Sequence, residues 1–351
     1  MFRVCSEESK QRYNGDTVLA VRYWGGDELM SGQNEEFSVQ AAVSRRYAAA
    51  ARAVEPELCC AVQYDARFLE AIPSEVIERD YGCGDPSRYV VEGDVVLDLG
   101  SGGGKSCFIA AQVVGPTGEV IGVDASDEML ALARGAKSRV AAAIGYDNVS
   151  FLKGRIQDLS LDLERLEVHL ADESIGDLES WHRTEAAIRG WRRDRPLVAS
   201  DSIDIVVSNC VLNLVDPGDR IRLFDELARV LKPGGRAVIS DIVSNRDVPE
   251  HLQRDESLWS GCVSGAYRED RLLESFRAAG LVGVELLVRQ QDPWTVVEGI
   301  EFRSVTVRAF SPKPADGPAD GPGPVGLVDV IGLGELSSGV GPCCGPDGEC
   351  S

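Results

Sequence analysis

Three cysteines stand alone among small residues in stretches that read as loops: Cys83 in YGCGDP, Cys210 in SNCVLNLV and Cys262 in WSGCVSG. Thiolate sulfur is a soft ligand and a nucleophile, so isolated thiols of this kind suit thiol chemistry or the binding of a soft ion. The remaining cysteines do not form zinc-finger sets. Cys59 and Cys60 are adjacent, Cys343, Cys344 and Cys350 crowd the end of the chain in CCGPDGEC, and the histidines number only 3. A total of 10 cysteines in 351 residues is high for a reducing compartment and too sparse for a disulfide-scaffolded secreted module. Cys107 falls inside a helical run and reads as a small buried hydrophobe; Cys5 reads as incidental.

A second constellation is VVLDLGSGGGKS, followed by VIGVDAS. Glycines after a strand let the backbone turn sharply and approach a ligand, and Asp124 closes the next strand about 20 residues on, where a carboxylate accepts from a ribose diol. The pair favours an adenosine-containing cofactor. A phosphate-loop frame ending in Lys105 and Ser106 requires glycine at Leu99, and a dinucleotide frame requires glycine or alanine where Lys105 or Cys107 stands. Both frames fail.

These residues need elements to hold them. The Ala-rich run Val39 to Val54 predicts a helix, and Pro73 opens a short one before the loop around Gly82 and Gly84. Strand patterns then alternate with helical ones: Asp94 to Gly100, Gly118 to Ser126, Val149 to Ile156, IDIVVSNCVLNL and RAVISDIV, with RIRLFDELARVLKPGG as the helix before the last. Such alternation predicts a doubly wound α/β fold, a parallel sheet with helices on both faces. A charged segment at 161–201 reads as a helical insertion in which Trp181 and Trp191 form local core. The expected organisation is an N-terminal helical cap with the first cysteine loop over 1–90, a core over 91–247, a C-terminal α+β region over 248–310, and a Pro/Gly linker with a Cys-rich tail over 311–351.

The formal charge of −21 repels a phosphate backbone and argues against nucleic acid; the basic RGWRRDRP reads as a solvated face. No apolar run approaches the roughly 18 residues of a membrane span, and MFRVCSEESKQR is polar, which predicts a soluble, cytoplasmic protein.

As a set, VLDLGSGGG, VIGVDAS and LKPGG resemble the class I S-adenosylmethionine-dependent methyltransferases over about Val91 to Val243. That likeness implies a Rossmann-like core in which Asp98 sits near the cofactor's methionine amino group, Gly100, Ser101 and Gly102 pass beneath it, and Asp124 holds the ribose. Ala125 and Met129 follow on that wall, Ile156 and Gln157 lie by the adenine, and Tyr81 and Asn209 reach the methionine end. RDYGCG, SNCVLNL and SGCVSGA resemble, in the same order, the arsenite methyltransferases over about Ile72 to Ala266. The implied function is methylation of trivalent arsenic, as arsenite or its thiol conjugate, in arsenic detoxification. The resemblance makes Cys83, Cys210 and Cys262 both catalytic residues and arsenic ligands, Cys210 and Cys262 through transfer and Cys83 in redox cycling. A fourth thiol able to pair with the first falls at Cys60, with Cys59 as the alternative. A thiol reductant, glutathione or thioredoxin, is the implied co-substrate, and a monomer the expected state. Methylation of a small organic molecule and non-catalytic metalloid binding are the competing readings.

Overall fold

The computed structural model describes residues 38–55, 62 and 64–313. Its first helix, α1 (Val39–Ala50), begins where the Ser38 hydroxyl accepts from the Ala41 amide, and two single turns follow, α2 (Ala66–Leu69) and α3 (Ser74–Ile77). The alternating region comprises β1 (Val95–Leu99), α4 (Lys105–Val114), β2 (Glu119–Asp124), α5 (Asp127–Ile144) and β3 (Val149–Lys153). The charged segment forms α6 (Leu163–Asp172) and α7 (Leu178–Asp194), and β4 (Ile203–Asn209), α8 (Arg220–Val230) and β5 (Leu231–Ser244) complete the alternation. Short α9 (Glu250–Gln253) and α10 (Glu256–Ser260) precede β6 (Tyr267–Arg268), α11 (Glu269–Ala278), β7 (Val282–Arg289), β8 (Thr295–Val297) and β9 (Ile300–Phe310).

The sheet runs in the order β3-β2-β1-β4-β5-β9-β7, with β6 beside β5 and β8 beside β9. Alternate residues of its central strands feed opposite layers. Val96, Ile205, Val207 and Val238 pack with Phe108 and Ala133 of α4 and α5, while Leu97, Leu99, Val206 and Ile239 pack with Leu227 of α8 and Phe276 of α11. This two-sided burial explains the unbroken β-branched runs, and it matches the α/β expectation. From β1 the chain winds outward to β2 and β3, then returns to β4 on the other side. The carboxyl ends of β1 and β4 therefore flank a topological switch point, where open α/β sheets bind ligands.

The structure differs from the sequence reading in four places. β9 joins β5 antiparallel and β7 joins β9 antiparallel, so the sheet is mixed: α11 leads into β7, but β9 then returns from β7 through β8 and turns rather than through a helical crossover. β3 stops at Lys153, because the chain turns back on itself with the Asp158 amide donating to the Arg155 carbonyl, which leaves Ile156 and Gln157 on a loop. α8 ends at Val230 rather than at the glycines; Pro233 disfavours helix at the residue before it, and Leu231 already pairs with Ile203. Trp181 is 49% exposed and no part of a core, whereas Trp191 packs edge-on against His169 with Arg165 over its ring. Cys60, with Cys5, Cys59 and the tail cysteines, lies outside the described residues.

The cap helix is tied down at both sides. Arg45 binds the Glu256 carboxylate and Arg46 donates to the Ser257 carbonyl of α10, while Arg52 pairs with Glu128 of α5. Among the described residues no helix is long and apolar enough to cross a membrane.

Candidate functional site

A cavity of about 650 Å³ opens at the switch point. Asp98, Gly100, Ser101 and Gly102 come from β1 and its loop; Asp124, Ala125 and Met129 from β2 and α5; Ile156 and Gln157 from the turn after β3. Tyr81 and Asn209 complete the wall, so every residue assigned to the cofactor from sequence borders this one space. Cys210 borders it too.

Local geometry makes the cavity polar where a nucleoside amino acid would need it. Gly102 has φ +52° and open space around it, a backbone conformation that glycine adopts without strain, and its amide donates to Asp124 Oδ2 at 2.8 Å. The Ser126 amide holds the other oxygen at 2.8 Å, and burial raises the Asp124 pKa. Asp98 is fully enclosed: burial pushes its carboxyl up to about 7 against the hydrogen bond from Cys107 Sγ at 3.2 Å, with Asp80 and Asp124 adding repulsion. The buried Ser101 hydroxyl has no partner among the described residues. A carboxylate for an ammonium, a carboxylate for a diol and an unused hydroxyl fit S-adenosylmethionine.

The three cysteines converge beside this cavity. Cys83 and Cys210 are joined as a disulfide with Cα atoms 5.8 Å apart, and Cys262 Sγ donates to the Cys210 carbonyl at 3.1 Å. All three lie in one buried cluster with Ile242, Val248, Leu252, Ile300 and Phe302. Cys210 and Cys262 each have φ +61°, a left-handed conformation uncommon for residues with a side chain. Sequence reasoning gave the first thiol a partner at Cys59 or Cys60; here its partner is Cys210. The reason is a clamp. Asn209 Oδ1 accepts from the amides of Cys83 and Gly84 at 2.8 and 3.0 Å, while its Nδ2 donates to the Gly84 carbonyl and to Tyr64. Gly82 is obligatory under it: a Cβ there would sit 2.0 Å from Asn209 Nδ2.

Several neighbours escaped sequence reasoning. Asp241, the lone acid in the β-branched run ISDIV, brings a carboxylate oxygen within 4.8 Å of the sulfurs of Cys83 and Cys210. It accepts from the Leu212 and Ile242 amides and Asn213 Nδ2, yet burial still pushes its carboxyl up to about 7. Tyr47 of α1 hydrogen-bonds to Cys262, and its phenol is raised well above its usual value, chiefly by burial. Lys105 reaches Asp80 at 2.5 Å across the face of Tyr64. Asp255 caps α10, which precedes the Cys262 loop, and Glu256 pairs with Arg45 of α1.

Comparison with known proteins agrees with this architecture. A family model described as a methyltransferase domain matches residues 91–189 and 192–280. An arsenite methyltransferase of Halobacterium salinarum is 35% identical over 230 residues, 65% of this chain and 48% of that protein. The Mus musculus arsenite methyltransferase is 31% identical over 255 residues, 70% of this chain and 58% of that protein. This chain thus spans about half the length of the curated relatives it matches. The crystal structure of an arsenic(III) S-adenosylmethionine methyltransferase from Chlamydomonas reinhardtii superposes with a TM-score of 0.56 at 28% identity, covering 74% of this chain and 75% of that one.

Proposed function

The chain belongs to the methyltransferase-domain family, and from that premise we propose that it transfers methyl groups from S-adenosylmethionine to trivalent arsenic held by Cys83, Cys210 and Cys262. The observation that carries this reading is the convergence of three thiols, remote in sequence, in one buried cluster whose member Cys210 borders the cofactor cavity. The arsenite methyltransferases among its relatives support the same substrate.

When bound, S-adenosylmethionine supplies an electrophilic methyl on a sulfonium. The chain's task is to hold arsenic, shed its hydroxides as water using the thiol protons, and present its lone pair. Sulfur matches the softness of arsenic(III), and the apolar wall of Ile242, Leu252, Ile300 and Phe302 excludes water. As the arsenic–carbon bond forms, the bond to the methyl breaks toward a neutral thioether and arsenic is formally oxidised by two electrons. Positioning carries most of the acceleration, since the nucleophile needs no base. Departure of two thiolate sulfurs as a disulfide returns two electrons to arsenic, and the Cys83–Cys210 pair is suited to this. Cys210 then shares the redox role first assigned to Cys83 alone. Glutathione or thioredoxin is the proposed reductant that reopens the disulfide for the next round.

The test is incubation of the reduced protein with arsenite, a thiol and labelled S-adenosylmethionine, followed by arsenic speciation. Methylated arsenic should form, and Cys210→Ser or Cys262→Ser should abolish it while calorimetry finds cofactor binding intact. Serine variants that remained active on another acceptor would favour an organic substrate. Arsenite binding without any cofactor affinity would favour a metalloid scavenger.

A further inference from the structure

Arg79 borders the cavity and has no role in the reading above. It lies between α3 and the loop Asp80-Tyr81-Gly82-Cys83. Its Nε is buried without a hydrogen-bond partner, and no ion pair of its guanidinium is present among the described residues. The nearby carboxylates make their ion pairs elsewhere, Asp80 with Lys105 and Glu75, one turn earlier, with Arg139; Arg79 acts on Glu75 only as a weaker neighbouring charge. An enclosed guanidinium edge left unsatisfied is costly, so its presence on a cavity wall points to an anionic ligand.

The rest of that wall is acidic. Asp80, Asp98, Asp124, Asp216 and Asp219 border the cavity, against only two basic side chains among the described residues, Arg79 and Arg155. An α-amino acid is a zwitterion and needs partners of both signs; a carboxylate entering this field without a cation would be repelled. Asp98 suits the ammonium. Asp80 is close enough to Asp98 to raise its pKa, which puts the Arg79-Asp80-Tyr81 segment at the same end of the cavity. Arg155 instead is exposed and follows β3, two strands from the β1 that carries Asp98.

We propose that Arg79 binds the α-carboxylate of the methionyl end of S-adenosylmethionine. This rests on the cofactor reading given above. Arginine suits the task because its planar fork matches a carboxylate. The same chemistry would recognise a glutathione carboxylate on an arsenic–thiol conjugate, so the test separates the two.

Calorimetry of the reduced full chain compares S-adenosylhomocysteine with methylthioadenosine, which keeps the nucleoside and sulfur but lacks the amino acid. Arg79→Gln should weaken S-adenosylhomocysteine by at least about tenfold and leave methylthioadenosine within about twofold. Arg79→Lys, which keeps the charge and supplies a second variant should the first not fold, should lose less of the former and none of the latter. Unchanged S-adenosylhomocysteine affinity, or equal loss for both compounds, would overturn the assignment. So would a loss confined to the arsenite–glutathione conjugate, which would give Arg79 to the substrate. A wild type that bound neither nucleoside would instead bring down the cofactor reading itself.

Discussion

The side-chain oxygen of Asn209 lies 2.8 Å from the backbone nitrogen of Cys83, so the residue that ends β4 holds in place a loop more than a hundred positions earlier in the chain. Because Cys210 follows Asn209 directly, one amide side chain sets the distance between two of the three thiols. Asn209→Ala would orphan the Cys83 and Gly84 amides and leave the Gly84 carbonyl to Tyr64 alone. A loss of about 2 to 4 kcal/mol in urea unfolding of the reduced protein is expected, with arsenite affinity falling alongside. Asn209→Asp keeps the acceptor but loses the donor, and should fall between the two.

Gly82 makes the same relationship testable from the other side. Its missing Cβ is the space Asn209 occupies, with Nδ2, Cγ and Oδ1 at 2.0, 2.5 and 2.9 Å from the position a methyl would take. Gly82→Ala must therefore displace the clamp, and it should reproduce the Asn209→Ala defect in arsenite affinity. Combined, the two substitutions should cost little more than either alone. A double-mutant cycle measures this, and full additivity would mean that the clamp is not the shared target.

What the sequence revealed was what local pattern controls. Alternating strand and helix signals located β1 to β5, since their apolar runs are buried on both faces, and the glycine loop with Asp124 announced the cavity, to which the family resemblance added Asp98. The three loop cysteines stood out because each stands alone among small residues. Contacts that depend on tertiary closure left no local trace. Asp241 sits in a strand whose neighbours are apolar, and only the pairing of β4 with β5 brings it to the sulfurs. Lys105 looked like a failed phosphate-loop lysine, yet its partner Asp80 is supplied by a loop folded over from before the sheet. The Cys83–Cys210 pairing was hidden for the same reason: a side chain on β4 decides it, not spacing along the chain.

If Asp98 holds the cofactor's ammonium as proposed, cofactor binding should depend on pH. With its carboxyl pushed up to about 7 by burial, it is protonated at pH 6 and cannot pair with an ammonium; above pH 7 it is a carboxylate and can. S-adenosylmethionine affinity should therefore rise through pH 6 to 8 and Asp98→Asn should bind weakly with a flat profile, both read by calorimetry. The apo protein should show the opposite trend in stability. A pKa raised above the ordinary 3.8 contributes stability at low pH that is lost as pH rises through about 7, on the order of 4 kcal/mol for this group. Cys107→Ala removes a donor to the carboxylate and should move the binding midpoint upward, whereas Cys107→Ser should not.

The backbone at Cys262 gives the last prediction. Its φ of +61° places a side chain in the left-handed region, where any Cβ meets the following carbonyl at a cost of about 1 to 2 kcal/mol. At most buried positions alanine is more stable than glycine, because glycine has more chain entropy to lose. Here the order should invert: Cys262→Gly relieves the backbone while Cys262→Ala keeps the strain, and both lose the same thiol. Thermal or urea unfolding should find the glycine variant the more stable by about 1 kcal/mol, and arsenic speciation should find both inactive. That combination would identify the strain as retained for the sulfur's position. If alanine were the more stable, the left-handed geometry at Cys262 would be wrong, and with it the direction in which this thiol faces Cys210.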